Sequence, residues 1–209
     1  IARRRRRARA SLCVAIGADE RTEGMARADR GFVVRATAVV QSASGAAGMS
    51  SRVQVSLRVA ASPLRAFEVF TREIGKWWRP NGLFQFTPQG AGVLSFEQAA
   101  AARTSGECGR LIETQPDGSV FEIGKVTAWE PGERLAFGWR QASFTDAQHT
   151  HVEVRFEAVG DETRVTVEHR GWDTVPQEHV ARHHFPERVF LLRHGEWWQA
   201  LLASLRDAV

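Results

Sequence analysis

Glu187–Arg206, ERVFLLRHGEWWQALLASLR, decides the fold of this 209-residue chain. At 100° per residue Phe190, Trp197, Trp198, Leu201, Leu202 and Leu205 share one arc roughly 140° wide, with Arg188, Arg193, Glu196, Gln199 and Arg206 opposite. Each large apolar side chain contributes about 1.5–3 kcal/mol on burial, so this stripe needs a broad partner surface. One residue inside it is out of character: His194 points the same way as Trp198 and Leu201.

The residues before the helix supply the partner. Thr150–Ala158 alternates Val152, Val154 and Phe156 against charged neighbours, and after a Gly160-Asp161 turn TRVTVEHRG places Val165, Val167 and His169 inward. Upstream, RLAFGW puts Leu135, Phe137 and Trp139 on one face; Val120–Trp129 and Arg110–Thr114 flank a Pro116-Asp117-Gly118 turn, and Val93–Phe96 is a weaker strand. Arg52–Val59 alternates with Val53, Val55, Leu57 and Val59 inward. Ser62 and Pro63 then open a helical stretch carrying Phe67, Phe70 and Ile74 toward Trp77 and Trp78, stopped by Pro80-Asn81-Gly82. Thr174 and Gln177 suggest a capping box for a short helix through QEHVARHH, and Pro186 requires the last helix to start afresh. The expectation is an antiparallel meander, wet on one side and covered by helix on the other.

Charge divides the chain differently. Residues 1–48 hold ten Arg against four acids, whereas the remainder holds 18 Lys and Arg against 20 acids. The basic pI therefore belongs to the first segment, and residues 49–209, expected to form one domain, carry no nucleic-acid surface. Residues 1–48 are expected to be a disordered basic tail or an extension ahead of the native start. No run approaches a membrane span, and the two cysteines, Cys13 and Cys108, form no CxxC pair and no disulfide framework, which fits a cytoplasmic location.

The order of elements, with WWRP-N-G at Trp77–Gly82, GKVTAWEPGERLAFGW at Gly124–Trp139, VEVRFEAVGDETRVTVEHRGW at Val152–Trp172 and GEWWQALLASL at Gly195–Leu205, resembles the START-like, helix-grip fold of the SRPBCC superfamily. Within it the chain is similar to bacterial domains related to the activator of the 90-kDa heat-shock protein ATPase. The resemblance implies an α+β fold: a curved antiparallel sheet around a long C-terminal helix, two short helices after the first strand, and a cavity between sheet and helix for a small hydrophobic or amphipathic ligand. It also brings in a polyketide cyclase/dehydratase-like enzyme and a stimulator of a chaperone ATPase as alternative functions.

The candidates for lining that cavity are His169, His194, Trp139, Phe137, Val154, Phe156, Val167, Trp198, Leu201 and Trp78. The two histidines share the inward face, where a neutral imidazole orients a ligand hydroxyl or acts as acid or base; a buried histidine satisfied by backbone or water is the structural alternative. His179, His183 and His184 lack a fixed acidic or thiol partner, so no metal is expected, and no cofactor motif occurs.

Overall fold

The computed structural model describes residues 39–41, 51–98 and 108–209. Apart from residues 39–41, the expected tail lies outside them. Eight strands form one antiparallel sheet: β1 (Val39–Gln41), β2 (Arg52–Val59), β3 (Val93–Gln98), β4 (Gly109–Thr114), β5 (Val120–Glu130), β6 (Arg134–Trp139), β7 (Thr150–Val159) and β8 (Glu162–Arg170). Their spatial order is β1-β2-β8-β7-β6-β5-β4-β3, so a meander from β3 to β8 is completed by the strand that precedes it all.

Strict alternation sets the registers. Val53, Val55, Leu57 and Val59 of β2, and Val165, Val167 and His169 of β8, are all buried, and Val53 pairs with His169 as Val152 does from β7. Register shifts in β4–β5 at Leu111/Ile112 and in β5–β6 near Val126/Ala128 bend the strands, as bulges do. Where β5 passes β6 the backbones nearly touch: a Cβ on Gly124 would lie 2.0 Å from the Gly138 carbonyl oxygen.

Ser62 caps α1 (Pro63–Arg72) by accepting from the Arg65 N–H. The helical stretch breaks at Glu73 and resumes as α2 (Ile74–Trp77), giving the two short helices. The last helix, α3 (Glu187–Ala208), follows Pro186 as its sequence demands, with the whole predicted stripe buried together with Leu191 and His194. Ser204 Oγ donates to the Trp77 carbonyl at 2.6 Å, tying α3 to α2, and Ser51 Oγ meets Glu187 at the other end. This is the α+β helix-grip arrangement.

Two expectations are corrected. The segment QEHVARHH forms a single 3-10 turn at Val180–Arg182, not a helix. Thr174 Oγ1 is taken up by the His149 N–H and carbonyl, His179 caps the turn through Nδ1, and His183 and His184 at φ 51° and 56° end it. The buried Arg182 guanidinium then pins the segment by donating to the Trp172 and Val175 carbonyls. Cys108 is disulfide-bonded, where the reading of the two cysteines expected no disulfide framework. Among the described residues no helix is long and apolar enough to cross a membrane, and no cluster of potential metal ligands occurs.

Candidate ligand-binding site

Strand parity delivers His169 to the inner end of β8, and helical angle delivers His194 to the face of α3 opposite it. Their rings meet, with His194 Nε2 and His169 Nδ1 2.8 Å apart. His169 Nε2 lies 2.9 Å from Thr150 Oγ1, which donates to the Trp139 carbonyl at 2.9 Å. The directions follow from the donors. Trp198 Nε1 can only donate, and it points at His169 Nδ1 from 3.3 Å, so Nδ1 is an acceptor and the proton sits on Nε2. His194 then donates through its own Nε2, which leaves its Nδ1 a bare lone pair.

Both rings are neutral. Burial drives His169 well below the ordinary histidine range, with the neighbouring His194 acting in the same direction, and burial alone drives His194 down to about 3. Around the pair lies a shell of rings: Trp172 is 4.8 Å from His194, Phe84 4.8 Å, and Trp139 5.2 Å from His169.

That shell has a polar deficit. His194 Nδ1 and the indole N–H groups of Trp139, Trp172 and Trp197 are buried with no hydrogen-bond partner among the described residues. Each such group costs about 1–3 kcal/mol if left unmet, so four together rival a domain's whole net stability of about 5–15 kcal/mol.

Beside it is a pocket of about 350 Å³. It opens between the 82–88 loop, residues 141–143 after β6, and the 3-10 turn at Val180–Arg182. Leu83, Phe86 and Val180 give apolar surface; Gln85, Thr87, Gln141 and His183 give polar groups. The His183 Nε2 atom is itself buried, away from the opening, without a hydrogen-bond partner among the described residues. Thr87 belongs to a buried network in which Gln115 Nε2 donates to its hydroxyl and Glu113 accepts from Thr87 Oγ1 and the Gly92 N–H. Burial pushes the Glu113 carboxyl above its ordinary range, against the hydrogen bonds that favour its charge.

A family model described as activator of Hsp90 ATPase homolog 1-like protein matches residues 60–209 of this sequence. The chain belongs to this AHSA1 family. Solved structures that match include protein MLL2253 from Mesorhizobium loti, 17% identical with a TM-score of 0.49 over 75% of this chain and 94% of that one. CalU16 from Micromonospora echinospora is 17% identical with a TM-score of 0.42 over 82% and 99%. DynU16, described as a putative protein in the dynemicin biosynthetic locus, is 21% identical with a TM-score of 0.47 over 75% and 46%. No curated protein matches.

In this AHSA1 domain His169, His194, Trp139 and Trp198 come together as one hydrogen-bonded cluster. Phe137, Val154, Phe156, Val167 and Leu201 are packed core; Phe156, for example, meets Phe67 and Phe70 edge to face. None of these nine lines the pocket of about 350 Å³. Trp78 packs against Trp139 at a tilt and Trp197 edge to face, and lines only a much smaller depression of about 10 Å³ that also reaches Glu113. Sequence reasoning missed Phe84, Phe86, Gln141 and Glu113, and weighed His183 only as a metal ligand. Glu113 had a signal, since it shares parity with the inward Leu111; the two Phe residues lie in a loop without periodicity and had none.

Proposed function

We propose that the AHSA1 domain binds a small hydrophobic or amphipathic ligand at the open end of its helix grip, in the pocket between the 82–88 loop, residues 141–143 and the 3-10 turn. The observation that carries this reading is the lining itself: apolar walls from Leu83, Phe86 and Val180, with a few polar groups from Gln85, Thr87 and Gln141. Its volume of about 350 Å³ suits a small organic molecule. Acid–base catalysis by the interior histidines has less support. A base brought down to about 3 by burial is too weak to abstract protons near neutral pH, so these rings serve as fixed hydrogen-bonding groups. The disulfide at Cys108 removes the support that cysteine usage gave to a cytoplasmic location.

The test is a thermal-shift screen over fatty acids, aromatics and polyketide-like compounds, with each hit re-measured on Gly82→Phe. Gly82 lines the pocket, and a Cβ there meets no atom within 4 Å, so a bulky side chain is admitted at its rim without a clash. Hits are expected to weaken at least about tenfold, more than 1.4 kcal/mol of binding. Unchanged affinity would remove this pocket as the site, and a panel without any hit would end the ligand-binding reading.

A further inference from the structure

Phe84 stands between the pocket and the histidine pair. Its ring contacts His183 on the pocket side at 5.7 Å and His194 on the inner side at 4.8 Å, with Trp197 at 4.9 Å and Phe190 at 6.2 Å completing an aromatic slot. It is carried by a loop, not by a strand or helix, and its N–H is held only by the Asn81 side chain. The Phe84 ring has no polar atom, while His194 Nδ1 and the indole nitrogens of Trp172 and Trp197, whose rings lie 4.8 Å and 5.3 Å from that of His194, are unpartnered among the described residues.

We infer that this slot is an inner subsite for a phenol-type hydroxyarene, whose ring replaces that of Phe84 and whose hydroxyl bridges His194 Nδ1 and an indole N–H. This rests on the ligand-binding reading and names the ligand class. A phenolic O–H donates to the bare lone pair of His194 while its oxygen accepts from Trp172 or Trp197, so one group meets both needs. A plain arene meets neither. A carboxylate brings no donor for His194, and an alkyl alcohol leaves the ring slot unfilled.

The experiment compares phenol with toluene, close in shape and different in the hydroxyl, by calorimetry on Phe84→Ala. Phenol is expected to bind at least about tenfold more tightly, the value of one neutral hydrogen bond to an otherwise unmet group. Adding His194→Leu removes the acceptor and should cut that preference at least about threefold, leaving what the indole donor supplies. Equal binding to Phe84→Ala, or a preference undiminished by His194→Leu, would overturn the proposal and assign the four polar atoms to buried water. Should Phe84→Ala fail to fold, the unaltered chain with ¹⁵N-labelled histidine decides. Phenol should move the unprotonated ring nitrogen of His194 and toluene should not; no movement with saturating phenol would overturn it equally. The two readings fail separately, because Gly82→Phe scores the outer pocket and leaves the phenol–toluene comparison untouched.

Discussion

The Thr150 hydroxyl accepts the proton side of His169 and gives its own hydrogen to the Trp139 carbonyl. Thr150→Val keeps the shape and removes both bonds, leaving a buried imidazole N–H unmet. We expect a loss of about 1–3 kcal/mol in urea unfolding; a loss below about 0.5 kcal/mol would mean that the assigned tautomer is wrong. His194→Leu should behave in the opposite way. It deletes the unpartnered Nδ1, and His169 Nδ1 keeps the Trp198 donor, so stability at pH 7.5 should stay level or rise. A large loss there would show that His194 has a partner the free domain already holds. Both inward positions were readable from the sequence, because β8 parity and α3 angle each fix a direction. That His169 would also face Thr150 was not, since cross-strand register depends on turn lengths that periodicity leaves open.

Elements with a period were legible, and those held by single side chains were not. Every strand alternation placed its apolar face correctly, and Pro186 marked the start of α3, because a repeated pattern sums many small burial energies. The 180–184 turn instead depends on His179 capping it, on Arg182 reaching two carbonyls and on two histidines with positive φ, none of which leaves a repeat in the sequence. The Gly124–Gly138 crossing is another such local device. Gly124→Ala drives a methyl group into the Gly138 carbonyl with no flexible atom to yield, so the cost should reach the upper part of the about 1–3 kcal/mol seen for overpacking. Thermal melting checks this, and an unchanged midpoint would mean that β5 and β6 separate there more easily than their registers imply.

Across the molecule, buried ionisable groups set how stability follows pH. His169 and His194 have folded pKa values below their unfolded ones, so the unfolded state binds more protons in the window beneath about pH 6.5. Their contribution is complete above that point and is lost as pH falls, toward about 3 for His194, with a slope of up to about 1.4 kcal/mol per pH unit for each ring. Denaturant curves between pH 6.5 and 4.5 should show this decline, and His194→Leu should reduce it; a flat profile would contradict neutral burial. Glu113 works with the opposite sign. Its folded pKa is raised, so the native state holds its proton more firmly and stability from this group falls as pH climbs above the ordinary carboxylate range. Glu113→Gln should therefore melt higher than the unaltered chain at pH 7.5, with the difference vanishing near pH 4.

The pairing of β2 with β8 has a consequence for how the chain comes into being. Arg52 pairs with Arg170 and Val59 with Thr163, so every rung of that ladder spans more than a hundred residues. During synthesis β2 emerges well before β8 and waits, its partner unmade, and α3 follows only after every described strand. Loop-closure entropy must be met before any of these contacts returns energy, which makes the step slow and late. Until then the aromatic lining of the sheet lacks its helix and is open to association with other nascent chains. A nascent chain stalled before Glu187 should therefore be captured by general holdases, and release of α3 should end that capture.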